Sequence, residues 1–223
     1  RHIILASGAL ERHVAFNNND IPGVMTVNAS KHYLNRYGVL TGEKIVIATN
    51  NDSVYETAKQ LHEAGSKVTI IDSRDHINIE LPKGINHHLN TLPFNINGRK
   101  KIESLDVCRS NDSSKKNTIL CDQVLISGGW SPIVNLVSHR GIKPIWNEDN
   151  LCFVPGEIKE NITVVGSAKG IWNSKQCIDS GLMGANEAFN KLGIQKKEIS
   201  FPPVGGWVNP IKPLFEVKSK KFP

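Results

Sequence analysis

The feature that most constrains this chain is a strand, a helix and a second strand in immediate succession. Residues 45–48 (Ile-Val-Ile-Ala) are a continuous apolar run, residues 53–64 carry apolar side chains at helical spacing, and residues 68–71 (Val-Thr-Ile-Ile) are apolar again. Ser53 and Glu56 have the spacing of a capping box at the start of the helix. Two buried strands joined by one helix predict a right-handed βαβ crossover and a parallel sheet. An α/β domain is therefore expected.

Composition removes several classes of protein. The chain has 223 residues, of which 39% are hydrophobic and 22% charged, so long disorder, collagen and coiled coil are excluded. The net charge of +6 is spread along the chain, which predicts no nucleic-acid partner. No apolar run approaches roughly 18 residues, and the N-terminus lacks a signal-like segment, so neither a membrane partner nor secretion is expected. We expect a cytoplasmic protein.

The four cysteines predict structural thiols rather than chemistry. They lie far apart, without a C-x-x-C pair or a histidine at metal-ligand spacing. No metal site is expected. A C-x-x-C would have indicated disulfide-reductase chemistry, and its absence argues against that class. The residues concerned are Cys108, Cys121, Cys152 and Cys177.

Further elements follow from periodicity and turn residues. They are a short buried strand at 1–6, a helix at 27–37, a β-meander between 89 and 118, a buried strand at 122–127, a short helix at 134–138, a strand at 162–165 and a helix at 174–192. The tail beyond Gly193 is rich in proline and glycine and is expected to be extended.

Three of the predicted strands end in small residues, at 4–9, 125–129 and 164–168. Bare backbone at the carboxyl end of a parallel strand lets a dinucleotide approach closely, because no Cβ blocks it. The alternative is that these segments are plain tight turns of any α/β fold. The βαβ unit itself is a poor nucleotide site, because a G-x-G-x-x-G pattern laid on it places Thr49, Asn51 and Val54 at the glycine positions. Asp72 stands where such folds place the ribose-binding acid, but without the glycines we expect a plain strand-end residue.

Several longer motifs resemble one family. They are residues 7–12 (SGALER), 19–25 (NDIPGVM), 33–39 (YLNRYGV), 49–55 (TNNDSVY) and 127–132 (SGGWSP). Together they closely resemble the alpha subunit of heterotetrameric sarcosine oxidase, over most of residues 1–215. The wider plan resembles the two-dinucleotide-binding flavoproteins, a Rossmann-like FAD/NAD(P)-binding fold in which a nested βαβ domain interrupts an outer one.

The resemblance implies a function. The alpha subunit would hold NAD in its outer domain, while FAD and FMN of the parent complex are bound mainly through the beta subunit. The parent enzyme would oxidatively demethylate sarcosine with oxygen, giving glycine, hydrogen peroxide and a one-carbon unit, either formaldehyde or methylene-tetrahydrofolate. The implied partners are the beta, gamma and delta subunits, with sarcosine and tetrahydrofolate as small-molecule partners.

The domain boundaries expected from this plan are as follows. Residues 1–40 and 120–195 would form the outer cofactor-binding domain, residues 41–119 the nested domain with its meander, and residues 196–223 an extended connector to a further domain. The two parts of the outer domain would bring the strands near Ile3, Val124 and Thr163 into one region, apart from the βαβ sheet.

The third strand end is the predicted nucleotide site. Related flavoproteins usually have Gly-Asp there to hold the cofactor ribose, and the neutral Ser167 in place of the acid favours NAD over FAD. Trp172 could cover an aromatic ring of the cofactor, or could simply pack. No catalytic acid or base is found, so we expect binding rather than reaction. The predicted cofactor-binding residues are Ser7, Gly8, Gly166, Ser167, Ala168, Gly170, Trp172 and Ser174.

Two other functions stay open from the sequence. A stand-alone pyridine-nucleotide-dependent flavoprotein reductase of the same fold is disfavoured by the missing C-x-x-C and the missing nested glycines. A scaffold subunit that holds a purely structural nucleotide, without catalysis, would have the same sequence features.

Overall fold

A computed structural model describes residues 1–158, 161–194 and 211–218. Its strands are β1 (Ile3–Leu5), β2 (Ala9–Glu11), β3 (Val24–Thr26), β4 (Lys44–Thr49), β5 (Lys67–Asp72), β6 (Asn86–His88), β7 (Thr91–Gly98), β8 (Ile102–Arg109), β9 (Asp112–Leu120), β10 (Gln123–Ser127), β11 (Trp130–Pro132), β12 (Ile145–Asn147), β13 (Cys152–Val154) and β14 (Ile162–Val164). The α-helices are α1 (Val27–Tyr37), α2 (Tyr55–Glu63), α3 (Asn135–Ser138) and α4 (Ser174–Leu192).

The chain divides into two compact units. Within the described residues, unit 1 contains 1–10, 130–158 and 161–194, and unit 2 contains 11–129 and 211–218. Both boundaries differ from the expected ones at 40/41 and 119/120. The strands β2 and β11 lie where the chain passes from one unit to the other.

Unit 2 is built on a parallel sheet of five strands in the order β3-β10-β4-β5-β6. All four neighbouring pairs run parallel. The predicted βαβ unit is present as β4, α2 and β5, and the middle strands are buried on both faces, as their unbroken apolar runs require. The predicted meander is the antiparallel sheet β7-β8-β9.

The placement of β10 corrects a prediction. Val124 was expected in the outer domain, yet β10 lies between β3 and β4, with Val124 opposite Val24 on one side and Val46 on the other. A buried apolar strand has no period that distinguishes one sheet from another, so its sequence could not assign it. The expectation that the strands near Ile3, Val124 and Thr163 share one region is wrong for Val124.

Only part of the expected connector at 196–223 is described. Residues 196–210 and 219–223 lie outside the described residues. Residues 211–218 pack within unit 2, where Leu214 is 8% exposed and belongs to the core. The amide of Asn50 donates to the carbonyl of Lys212 at 2.6 Å.

Unit 1 has a parallel pair, β1 and β14, a hairpin formed by β12 and β13, and the long helix α4. Helix α4 occupies the predicted span and ends at Gly193, whose φ of 68° is the left-handed cap that glycine favours. The strand at the N-terminus was expected to be buried. That is wrong, because Ile3 and Ile4 are 53% and 41% exposed.

The start of α2 is a further correction. Ser53 does not cap the helix: it lies inside a 3₁₀ turn, Asp52–Val54, and its hydroxyl donates to Asn51 Oδ1 at 2.6 Å. Asn51 caps that turn by accepting from the backbone N–H of Ser53 at 3.1 Å. Asparagine caps helices as well as serine does, and Asn51 lies two residues before Ser53. In the described part of the chain, no helix is long and apolar enough to cross a membrane.

Candidate functional site

Two of the three predicted strand ends come together in unit 1. β1 and β14 run parallel, with Leu5 opposite Val164, so the turns that follow them lie at the same edge. Gly8 has a φ of 79°, and a Cβ built on it would lie 4.0 Å from Ser167 Oγ. The structure therefore brings Ser7 and Gly8 beside Ser167, as the sequence predicts.

The turn after β14 is shaped by two glycines with left-handed backbone. Residues 166–169 form one 3₁₀ turn, with Gly166 at a φ of 65° and Gly170 at 82°. The backbone N–H of Gly166 donates to Ser180 Oγ at 3.3 Å. Ala168 is fully buried beneath the turn, whereas Ser167 is half-buried. A Cβ on Gly170 would come within 2.8 Å of Val154 Cγ1, so that glycine is needed for packing.

Asn150 anchors this turn from the hairpin side. Its Nδ2 donates to the carbonyl of Gly170 at 3.0 Å, and its Oδ1 accepts from Trp172 Nε1 at 3.0 Å. The half-buried indole of Trp172 is thereby held in place, which favours the packing role that the sequence left open. Sequence reasoning missed Asn150, because an asparagine in a polar turn gives no signal that it reaches a segment 20 residues away.

The helix that follows the turn begins as predicted at Ser174, which is exposed. Its cap is the preceding residue, Asn173, whose Oδ1 accepts from the backbone N–H of Gln176 at 3.2 Å. Ser7 is also partly committed, since its hydroxyl donates to the carbonyl of Ile133 at 3.2 Å. Ser167 is half-buried at the turn, and within the described part of the chain its hydroxyl has no hydrogen bond that would compete with a ligand.

The eight predicted residues carry no charged side chain, but the exposed Lys169 lies within the turn itself. Cys177 lies beside the turn: its thiol donates to the carbonyl of Ile171, and burial raises the pKa of that thiol. A groove of about 460 Å³ runs alongside, lined in part by Lys169, Ile171 and Gln176, but by none of the eight predicted residues. Exposed backbone, hydroxyls and a helix start fit a dinucleotide better than they fit acid–base catalysis.

The third predicted strand end, after β10, serves a different purpose. A Cβ on Gly128 would come within 3.1 Å of the carbonyl of His13 and 2.9 Å of Val14. The backbone N–H of Gly128 donates to the carbonyl of Arg12 at 2.7 Å. The small residues there let the chain at 12–14 pack closely. The three segments therefore resemble one another in sequence but do not lie at one shared sheet edge.

The strand ends of unit 2 are filled by side chains of the chain itself. In open α/β sheets a ligand binds where the strand order reverses, which here is between β4 and β10. Asn51, fully buried, donates to Asn50 Oδ1 at 2.9 Å and to the carbonyl of Ser127 at 3.2 Å. Thr49 Oγ1 donates to the carbonyl of Asn51 at 3.0 Å. These hydrogen-bonded side chains occupy the position that a pyrophosphate would need.

The acid at the end of β5 is likewise engaged. Asp72 is fully buried and accepts from Tyr55 OH at 2.7 Å and from Arg74 Nη2 at 2.7 Å. Arg74 also pairs with Asp52 at 2.6 Å. Burial, with Asp72 next in effect, raises the pKa of Tyr55, while Asp72 and Asp52 raise the pKa of Arg74 against its burial. His87 is half-buried, with Nε2 3.1 Å from Tyr55 OH.

Among the described residues, no group of histidine, cysteine, aspartate or glutamate could hold a metal ion. The parallel sheet and the strand-end turns define a Rossmann-type fold of the FAD/NAD(P)-binding class, and solved structures confirm it. L-proline dehydrogenase from P. horikoshii aligns with a TM-score of 0.66 at 20% identity, covering 88% of this chain and 36% of that one. Thioredoxin reductase from Lactococcus lactis aligns with a TM-score of 0.65 at 22% identity, covering 85% and 65%.

The resemblance to sarcosine oxidase is also confirmed. The chain is 34% identical over 193 residues to the sarcosine oxidase alpha subunit of Rhizobium meliloti (strain 1021), covering 86% of this chain and 19% of the relative. It is 29% identical over 207 residues to the same subunit of Corynebacterium sp. (strain U-96), covering 88% and 21%. An opine oxidase subunit from Rhizobium meliloti is 26% identical over 220 residues, covering 86% and 42%.

No family model matches the chain. The chain spans about a fifth of the length of the sarcosine oxidase subunits that it matches. The relatives are named as oxidase subunits, and the two solved structures as a dehydrogenase and a reductase.

Proposed function

We propose that this chain is the NAD-holding part of a sarcosine oxidase alpha subunit, and that NAD lies on the paired strand ends of unit 1. The observation that carries the proposal is the meeting of Gly8 and Ser167 at the ends of two hydrogen-bonded parallel strands. The proposed contacts are those predicted from sequence: bare backbone at Gly8 and Gly166, and the hydroxyl of Ser167 toward a ribose.

The proposed parent activity follows from the relatives. The intact protein would oxidise the CH–NH group of sarcosine with oxygen as acceptor, giving glycine, hydrogen peroxide and formaldehyde or methylene-tetrahydrofolate. FAD and FMN would be held mainly through the beta subunit, with gamma and delta subunits completing a cytoplasmic complex. The eight predicted residues, none of which is charged, would contribute nucleotide binding to this reaction and no acid or base.

The experiment that tests the proposal is a substitution at the turn of the intact subunit. Gly166→Val adds a branched side chain at a φ of 65°, which a valine adopts only at a cost, and it covers backbone that must face the cofactor. We expect the purified variant to lack NAD, measured by release on heat denaturation and enzymatic assay.

Gly141→Val is a matched control that separates backbone strain from the loss of a cofactor contact. Gly141 has a φ of 82°, also lies in unit 1, and has nothing within 4 Å of a built Cβ. Gly141→Val therefore carries a similar backbone penalty away from the turn and should retain NAD. A folded Gly166→Val subunit with a full complement of NAD would show that the pocket lies elsewhere.

A structural role for the nucleotide is a second candidate, favoured by the absence of charged groups among the eight predicted residues. Redox titration distinguishes the two: NAD that is never reduced during turnover is structural, and NAD that is reduced takes part in electron transfer. The third candidate, a stand-alone reductase, is disfavoured by the filled strand ends of unit 2, where a second nucleotide would have to enter.

A further inference from the structure

A cavity lies on β8 and β9 of unit 2, with a volume of about 550 Å³, which is within the range of small-molecule sites. Four basic side chains line it: His88, Arg109, Lys115 and Lys116. None of the described residues that line it is an aspartate or a glutamate. Asp112, beside the lining, pairs with Lys115 at 3.9 Å, and the remaining cations leave the cavity with an excess of positive charge.

One part of the lining is apolar. Val107, only 5% exposed, and the half-buried Ile119 belong to or pack against the core of the unit, and both also line the cavity. A bare inorganic ion would gain nothing from these side chains. A ligand that joins a charged group to an apolar body would use both parts of the lining.

Two of the cations are already held in position. Lys116 Nζ lies 3.9 Å from the centroid of the Phe94 ring, and Arg109 Nη1 donates to the carbonyl of Leu89 at 3.0 Å. These contacts engage only some of the donors, because an ammonium has three and a guanidinium five. Side chains that are fixed before binding lose less conformational entropy when a ligand arrives.

We propose that this cavity binds a small organic anion, with its carboxylate or phosphate against Arg109 and Lys116 and its apolar body against Val107 and Ile119. The proposal is independent of the NAD site, since every residue it uses lies in unit 2.

The test is isothermal titration of the full chain with 1-naphthyl phosphate and 1-naphthoate, alongside neutral 1-naphthol and inorganic phosphate. We expect at least one aromatic anion to bind with a Kd below about 1 mM, and naphthol and phosphate each to bind about tenfold more weakly. The stronger of the two anions identifies the charged group. Affinity should fall when the ionic strength rises from about 0.05 to about 0.5 M, because salt screens exposed charges.

Matched variants locate the binding. Lys116→Gln should lower the affinity for the tighter-binding anion about tenfold. Lys100→Gln, in the exposed turn between β7 and β8, makes the same change in net charge and should leave the affinity unchanged. Because Lys116 also contacts Phe94, Lys115→Gln provides a second variant at a largely exposed position, and it should also weaken binding. Absence of binding by both anions, or equal weakening by Lys100→Gln and Lys116→Gln, would overturn the proposal.

Discussion

At the scale of single residues, Ser167 is the side chain on which nucleotide affinity should depend. It lies beside Gly8, in the turn that follows β14. Ser167→Ala removes one neutral hydrogen bond and should cost about 0.5 to 1.5 kcal/mol, up to roughly tenfold in NAD affinity, measured by titration of the intact subunit. Ser138→Ala is the control, because among the described residues the Ser138 hydroxyl bonds only to the carbonyl of Val134, the N-cap of α3. Equal affinity of wild type and Ser167→Ala would remove Ser167 from the site.

A second residue-scale prediction concerns His87. Burial lowers the pKa of His87. The attraction of Asp72 raises it, whereas repulsion from His88 and Arg74 lowers it further. A histidine in the unfolded chain has a pKa of about 6.5, so below that pH the unfolded chain binds a proton that native His87 does not. This contribution therefore destabilises the protein as pH falls from about 6.5 toward the lower native pKa.

The measurement is urea unfolding at about pH 7.5 and about pH 5.5, on either side of the unfolded pKa. The free energy of unfolding should decrease less with acid in His87→Gln than in wild type. The pKa of His13 is lowered in the same direction, and because His13 is present in both proteins it cancels from the comparison. Equal pH dependence in the two proteins would contradict the assigned shift.

At the scale of elements, α4 offers two glycines with opposite environments. A Cβ on Gly184 would come within 2.7 Å of Val165 Cγ1, whereas a Cβ on Gly181 meets nothing within 4 Å. Gly184→Ala should destabilise the protein by about 1 to 3 kcal/mol, because the stiff valine must move. Gly181→Ala should stabilise it by about 0.5 to 1 kcal/mol, because a helical glycine gives up more backbone entropy. Chemical unfolding of both variants gives the two signs, and the same sign in both would refute the packing of α4.

How far the sequence predicts this fold differs from element to element. The ends of α1 and α4 were predictable, because apolar periodicity stops at Gly38 and Gly193, where a left-handed cap follows. The partners of β10 were not, because a fully buried strand looks the same in either sheet. The turn around Gly166 could be found from its small residues, but Asn150 could not, since its bonds to Gly170 and Trp172 depend on tertiary contacts.

At the scale of the whole molecule, the two units should differ in nucleotide binding. Unit 2 has the sheet of a Rossmann domain, but Asn51 and Arg74 occupy its strand ends. Breaking the Arg74 pairs would leave Asp72 buried without its charge partner, at about 3 to 5 kcal/mol, so a dinucleotide should not displace them. The intact Gly166→Val subunit, titrated with NAD and with NADP, should show no binding tighter than about millimolar. Tighter binding would mean that unit 2 holds a nucleotide.

The nucleotide should lie on unit 1 and not on unit 2, and a structure of the intact subunit prepared with NAD would show which unit holds it. We expect cofactor density against Gly8, Gly166 and Ser167, at the ends of β1 and β14, with the bonds of Arg74 to Asp52 and Asp72 intact. Density at the ends of β4 and β5, with those bonds broken, would contradict it.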